Sequence, residues 1–226
     1  MNIGYEKLFQ QFVAFGTAIG ASLLFTANNV LADDNPDTPR LHPLEQYCVT
    51  FDLAGMMSGT WTECARDYAF ERVELQNMVI QMGPITQTDN KRVVYVGPQI
   101  YTIPENGNAM VADNPMFDST VAALEDSDPM TLSSNMLGSM GFTPNGETME
   151  FLGYSCNVAA GQMGTICMTD NGLTLYMNTM GQTRTATSID LDSGGNDEYY
   201  SIPENPQQAP DLSDLGNLLQ GLGNQD

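Results

Sequence analysis

Four cysteines, spaced as two close pairs, constrain this chain more than any other feature. Cys48 lies in a run, 47–53, where Tyr47, Val49, Phe51 and Leu53 alternate with Cys48, Thr50 and Asp52. That is the period of two expected of a strand with one apolar side. After turn-like residues 54–59, a second alternating run begins at Trp61. Placing Cys48 opposite Cys64 sets Thr50 against Thr62 and Phe51 against Trp61, with the aromatic pair on the apolar side and the sulfurs on the polar side. Cys156 and Cys167 flank the Gly-containing turn 159–164 symmetrically, which predicts a second bridged hairpin. Four cysteines allow three pairings, and the local pattern selects Cys48–Cys64 and Cys156–Cys167. Loops this short gain roughly 3 kcal/mol each from closure in the chain-entropy treatment. A metal or redox role for these thiols lacks support, since the sequence has no Cys-x-x-Cys and a single His.

Disulfides imply an oxidising compartment, and the N-terminus agrees. Lys7 precedes an uncharged apolar stretch over 12–25, and Val30, Leu31 and Ala32 supply a small-x-small cleavage pattern before Asp33. The stretch is shorter than the roughly 20 residues that span a bilayer. The expectation is a signal peptide over 1–32 and a periplasmic destination, with secretion as the alternative. The formal charge of −21, from 28 acids and 7 bases, excludes a nucleic-acid binder, which needs clustered cations for phosphates. With 42% hydrophobic and 15% charged residues, the chain still has the material for a core. Such a surface suits a salty exterior, where like-charge repulsion is screened.

Residues 33–45 hold three Pro and several Asp and read as a flexible leader. Strands are predicted over 47–53, 60–67, 70–81, 92–96 and 99–103, with turns at Thr88 to Asn90 and at Gly97 and Pro98. The period then changes. Asn114 and Pro115 open a short helix carrying Phe117, Val121 and Leu124, and Asp128 and Pro129 open a second that runs through Met136 and Leu137 to Gly141. Strands return over 148–158, 165–170, 173–178 and 184–191, with a last piece near 199–202. Asn171 and Gly172 are a strong hairpin signal that sets Met168 against Leu175, Ile166 against Met177 and Thr169 against Thr174. The fold class is therefore mainly β (α+β): a curved antiparallel sheet or half-barrel over 46–204, with two short helices on its concave face. In the acidic tail, 205–226, Leu212, Leu215, Leu218, Leu219 and Leu222 recur at helical spacing, a candidate docking helix for an envelope partner.

Several segments carry a likeness to a known family: Gly59-Thr-Trp-Thr, Arg66-Asp-Tyr, the strand from Gly97 to Ile103, Phe151-Leu-Gly-Tyr-Ser-Cys156, Cys167-Met-Thr-Asp-Asn-Gly-Leu-Thr-Leu175, Arg184-Thr-Ala-Thr-Ser-Ile189 and Tyr200-Ser-Ile-Pro203. Together, over 46–204, they resemble uncharacterised envelope proteins related to the outer-membrane lipoprotein carriers. The resemblance implies a half-barrel with helices packed into its concave face, and binding of an apolar ligand or lipoprotein.

Catalytic material is scarce. His42 stands alone in the leader, Ser155 lacks the second glycine of a nucleophile elbow, and Lys91 beside Arg92 reads as a solvated edge charge, so no enzyme and no cofactor are expected. Asp190, Asp192, Asp197 and Glu198 form an acidic Gly-containing loop with oxygen ligands for Ca²⁺, although Ser201 stands where the helix-loop-helix template needs Glu. Fifteen methionines are unusual, and close Met pairs offer thioethers to copper. Methionine also lines adaptable apolar surfaces. The preferred expectation is an apolar groove lined by Met78, Ile80, Met136, Met140, Met168, Leu175 and Met177, binding a lipid or an acylated or membrane-associated partner. Metal binding and a structural envelope role are the alternatives.

Overall fold

Alternation in the first cysteine hairpin is realised in the register. In the computed structural model, which describes residues 38–209, β1 (Tyr47–Ala54) pairs antiparallel with β2 (Met57–Arg66), setting Cys48 against Cys64, Thr50 against Thr62 and Phe51 against Trp61. β3 (Glu71–Met82), β4 (Ile85–Val96), β5 (Gln99–Pro104) and β6 (Met110–Asp113) continue the meander. After helices α1 (Phe117–Leu124) and α2 (Pro129–Ser139), a second meander follows: β7 (Thr143–Phe151), β8 (Tyr154–Gly161), β9 (Gly164–Met168), β10 (Thr174–Thr179) and β11 (Gln182–Asp190). β1 pairs with β11 and joins the two halves into one open, curved sheet of twelve strands. β12 (Gln207–Gln208) closes the β6 edge, the one parallel pairing among the described residues. The signal segment 1–32 and the leucine-bearing part of the tail lie outside the described residues.

Several boundaries differ from the sequence reading, for local reasons. The turn expected at Thr88 to Asn90 is strand, because the chain reverses instead at Gly83 and Pro84 and the β3–β4 ladder runs unbroken from Glu71–Val96 to Met82–Ile85. The predicted strand 148–158 is two strands, split by Leu152 and Gly153, whose φ values of 54° and 82° make a two-residue hairpin. The Asn171–Gly172 turn needs an extra residue. Ile166 faces Met177 as expected, but Met168 faces Thr174, with a register shift between Thr174 and Tyr176. The expected strand near 199–202 is a 3₁₀ turn, Asp197–Tyr200, whose entry is capped by Asn196 Oδ1 accepting the Glu198 N–H.

Both disulfides form, Cys48–Cys64 and Cys156–Cys167. The second is diagonal rather than square, because Cys167 lies opposite Val158 and the turn centres on Gln162 and Met163. The Cys48–Cys64 sulfurs do not face solvent as the alternation suggested. On their face of the sheet, Cys64, Val73, Val94 and Tyr200 form a core cluster, and the segment 190–200 crosses over it. A Cβ at Gly195 would stand 2.9 Å from Cys64 Sγ, so only glycine allows that approach.

α2 packs on the β8–β10 end of the sheet. Asp128 caps this helix by accepting the N–H groups of Met130 and Thr131, with Pro129 at its first position. Leu137 and Phe142 then pack on Ala159, Ile166 and Met168. α1 buries no residue fully; Phe117 meets Phe70 edge-on at 6.1 Å. The described part of the leader is tied down: Leu41 and His42 N–H groups both donate to Tyr68 O, and Tyr68 N–H donates to Glu45 O.

Candidate ligand-binding site

Six of the seven residues of the expected groove fall in three separate clusters. Met136, Met140, Met168 and Met177 surround the α2 contact with β8–β10, whereas Met78 packs with Leu53, Trp61 and Met57. Leu175 belongs to the central cluster with Val49, Phe51 and Cys156. Met168 and Leu175 are fully buried, and Met78 and Ile80 are 5% and 7% exposed. α2 therefore covers the Met168 and Met177 part of the expected groove, because its Leu137 packs on the same apolar surface.

The acidic loop has other work as well. Asp190 Oδ1 accepts the Asp192 N–H, Asp197 accepts from Arg66 Nη1, and Arg92 donates to the carbonyls of Glu198 and Ser201. No group of three or more His, Cys, Asp or Glu fit for a metal gathers among the described residues.

A row of buried charge that the sequence reading missed runs across β2, β3 and β11. Period two places Glu63, Glu74, Arg72 and Arg184 on the Phe51 face, with Glu63 directly opposite Glu74 across β2 and β3. Two opposed carboxylates would repel. Here they are bracketed, by Arg184 Nη2 at 3.2 Å from Glu63 Oε2 and by Arg72 Nη2 at 3.3 Å from Glu74 Oε1. Tyr47 OH donates to Glu63 at 2.7 Å, Gln76 donates to Glu74, and the Arg184 guanidinium lies over Phe51 and Trp61. Burial alone would raise the Glu63 carboxyl, but Arg72, Arg184 and the Tyr47 hydrogen bond outweigh it and hold the group below its usual range. For Glu74 burial dominates and the carboxyl is raised despite Arg72. His42, 6% exposed, closes the end of the row; its burial lowers its pKa to about 4. It shares with Tyr47, Glu63, Thr174 and Arg184 a cavity of about 20 Å³, room for one water and no ligand. The signal for this row was present in the phase of Trp61-x-Glu63-x-Ala65 and Arg184-x-Ala186, where charges occupy inward positions.

A larger space lies elsewhere among the described residues, where the leader passes the helices. A cleft of about 310 Å³ is walled by Pro39, Val121, Leu124 and Pro129, with Arg40 and Ser127 beside them and Glu125 on the exposed rim. Arg40 stacks 4.1 Å over the Tyr68 ring. This site was not legible in the sequence, because it joins a Pro-rich segment read as flexible to a helix end far along the chain.

No protein-family model matches the chain, and no curated protein matches it. Solved structures that it resembles include an uncharacterized conserved protein from Thermus thermophilus, at 7% identity and TM-score 0.46, covering 74% of this chain and 91% of that one. PNGF-II matches at 12% identity and TM-score 0.38 over 77% of this chain, and MucB at 12% and 0.33 over 74%. The chain spans 33% of PNGF-II and 62% of MucB. At these scores the likenesses carry no argument about activity.

Proposed function

We propose that this chain is an exported, non-enzymatic binding protein that holds an apolar or amphiphilic ligand, a lipid or an acyl chain of a partner, between the leader and the helices. The cleft of about 310 Å³ with Pro39, Val121, Leu124 and Pro129 on its walls carries this reading. Its size reaches the lower end of small-molecule sites, which are concave, mainly apolar and fitted with few polar groups. The disulfides Cys48–Cys64 and Cys156–Cys167 support an oxidising destination, and the segment 1–32 supplies the export signal to the periplasm. The resemblance to the lipoprotein-carrier relatives points to the same ligand class.

Native mass spectrometry of the protein taken from the periplasm with its bridges intact tests the proposal. A co-purifying lipid, and saturable binding of an apolar fluorophore that Leu124→Glu weakens about tenfold, are the expected results. A wild-type protein that neither retains lipid nor saturates with the fluorophore refutes it.

A further inference from the structure

The charge inventory of the molecule narrows the ligand of this cleft. The described residues contain six bases, Arg40, Arg66, Arg72, Lys91, Arg92 and Arg184. Arg66 pairs with Glu71 and Asp197, Arg72 with Glu74, Lys91 with Asp89, and Arg184 with Glu63. Arg92 donates to two backbone carbonyls. Arg40 alone among the described residues has neither a carboxylate within ion-pair distance nor a hydrogen-bond acceptor, and its Nη2 is out of contact with solvent. In a chain of net charge −21, a half-buried cation with no counter-ion among the described residues needs a reason.

The surroundings hold it there. Tyr68, the ring beneath Arg40, is the middle of three successive non-glycine residues in the left-handed region, Asp67, Tyr68 and Ala69, with φ of 50°, 54° and 64°. Each such residue is strained by roughly 1–2 kcal/mol. The same turn presents Tyr68 O to the N–H groups of Leu41 and His42, at 3.0 and 2.9 Å, which fixes the backbone on the C-terminal side of Arg40. A strained turn thus holds Arg40, which lines the apolar cleft, with its guanidinium over Tyr68 and no carboxylate partner among the described residues.

We infer that the ligand of this cleft is an amphiphile with one acidic head group, a carboxylate or a phosphate, paired with Arg40 while its chain lies against Val121, Leu124 and Pro129. The inference rests on the apolar-cleft reading above. Guanidinium is the side chain best matched to either head, through its forked donors. Glu125, exposed on the rim, is solvated and screened and leaves this pairing in place.

The test compares dodecanoate, dodecyl phosphate and dodecanol, displacing a fluorophore from wild type, Arg40→Met and Arg40→Lys. Wild type is expected to bind at least one acidic amphiphile about tenfold or more tighter than dodecanol, and the better of the two identifies a fatty-acid-like or a phospholipid-like head. Arg40→Met is expected to lose the preference and bind the acidic probes and dodecanol within a few-fold of one another, and Arg40→Lys to keep the preference. Equal binding of acidic and neutral probes by wild type overturns the inference and leaves the cleft standing. Binding of none of the three overturns both.

Discussion

Arg184→Met probes the buried charge row most directly. The substitution keeps an apolar stem over Phe51 and Trp61 but removes the guanidinium that lies 3.2 Å from Glu63 Oε2 in surroundings where both side chains are nearly buried. Removing one partner of a buried pair costs about 3–5 kcal/mol, because the other charge stays desolvated. Glu63 retains the Tyr47 hydrogen bond and the field of Arg72, which places the expected loss near the lower end, about 3 kcal/mol. With a urea m-value of about 2 kcal/mol/M, the unfolding midpoint should fall by roughly 1.5 M. The pH dependence gives a second, independent signature. In the wild type the Glu63 carboxyl is held low, so its stabilisation is present above the ordinary carboxylate value of 4.5 and is lost as pH falls through the lower folded value. In the variant burial is less fully offset and the carboxyl titrates higher than in the wild type, so protonation relieves the stranded charge at a higher pH. The gap between the two proteins should be widest near neutrality and narrow in mild acid. Urea unfolding followed by Trp61 fluorescence and by circular dichroism measures both, and Glu63→Gln with Arg184→Met should be more stable near neutrality than Arg184→Met alone. A single variant within about 1 kcal/mol of wild type, or a gap that does not change with pH, would refute the argument.

Three further outcomes follow from the same structure. Because burial lowers His42 from 6.5 to about 4, unfolded chains bind its proton first; stability should fall by about 3 kcal/mol as pH drops through that window, and His42→Gln should remove this component from an acid-unfolding series. Gly195→Ala meets both sulfurs of the Cys48–Cys64 bridge at φ 87° and should cost about 2 kcal/mol or more, whereas Gly181→Ala, at φ 79° with open space around it, should cost only about 1 kcal/mol in thermal unfolding. Replacing Cys156 and Cys167 together by Ala should destabilise by roughly 3 kcal/mol, read as a lower urea midpoint that reductant no longer shifts by that bridge's share.

The parts that were legible in the sequence share one property: they are decided within a few residues. Period two and a short turn set Cys48 against Cys64, and Asp128 with Pro129 starts α2, because strand alternation and helix capping are satisfied by neighbours. Where two local solutions compete, the sequence reading slipped by small steps. Gly83 and Pro84 took the turn from Thr88 to Asn90, and the diagonal Cys156–Cys167 bridge took the place of a square one.

By itself, then, the amino-acid sequence determined a β-rich chain stapled by two local disulfides, with two helices between two meanders and a strongly acidic exterior. Only the tertiary structure decided what covers each face. Arg66 reaches Asp197 across 131 residues where 190–200 covers Cys48–Cys64, and α2 covers the Met168 and Met177 part of the face that was expected to stay open. It also decided that Glu63, Glu74, Arg72 and Arg184 cancel one another inside, and that Arg40 stands at a cleft without a counter-ion among the described residues. Alternation along one strand reports which side a residue occupies. Whether that side meets water, a helix or an opposite charge depends on segments far away in the chain, and their arrival has no local period to announce it.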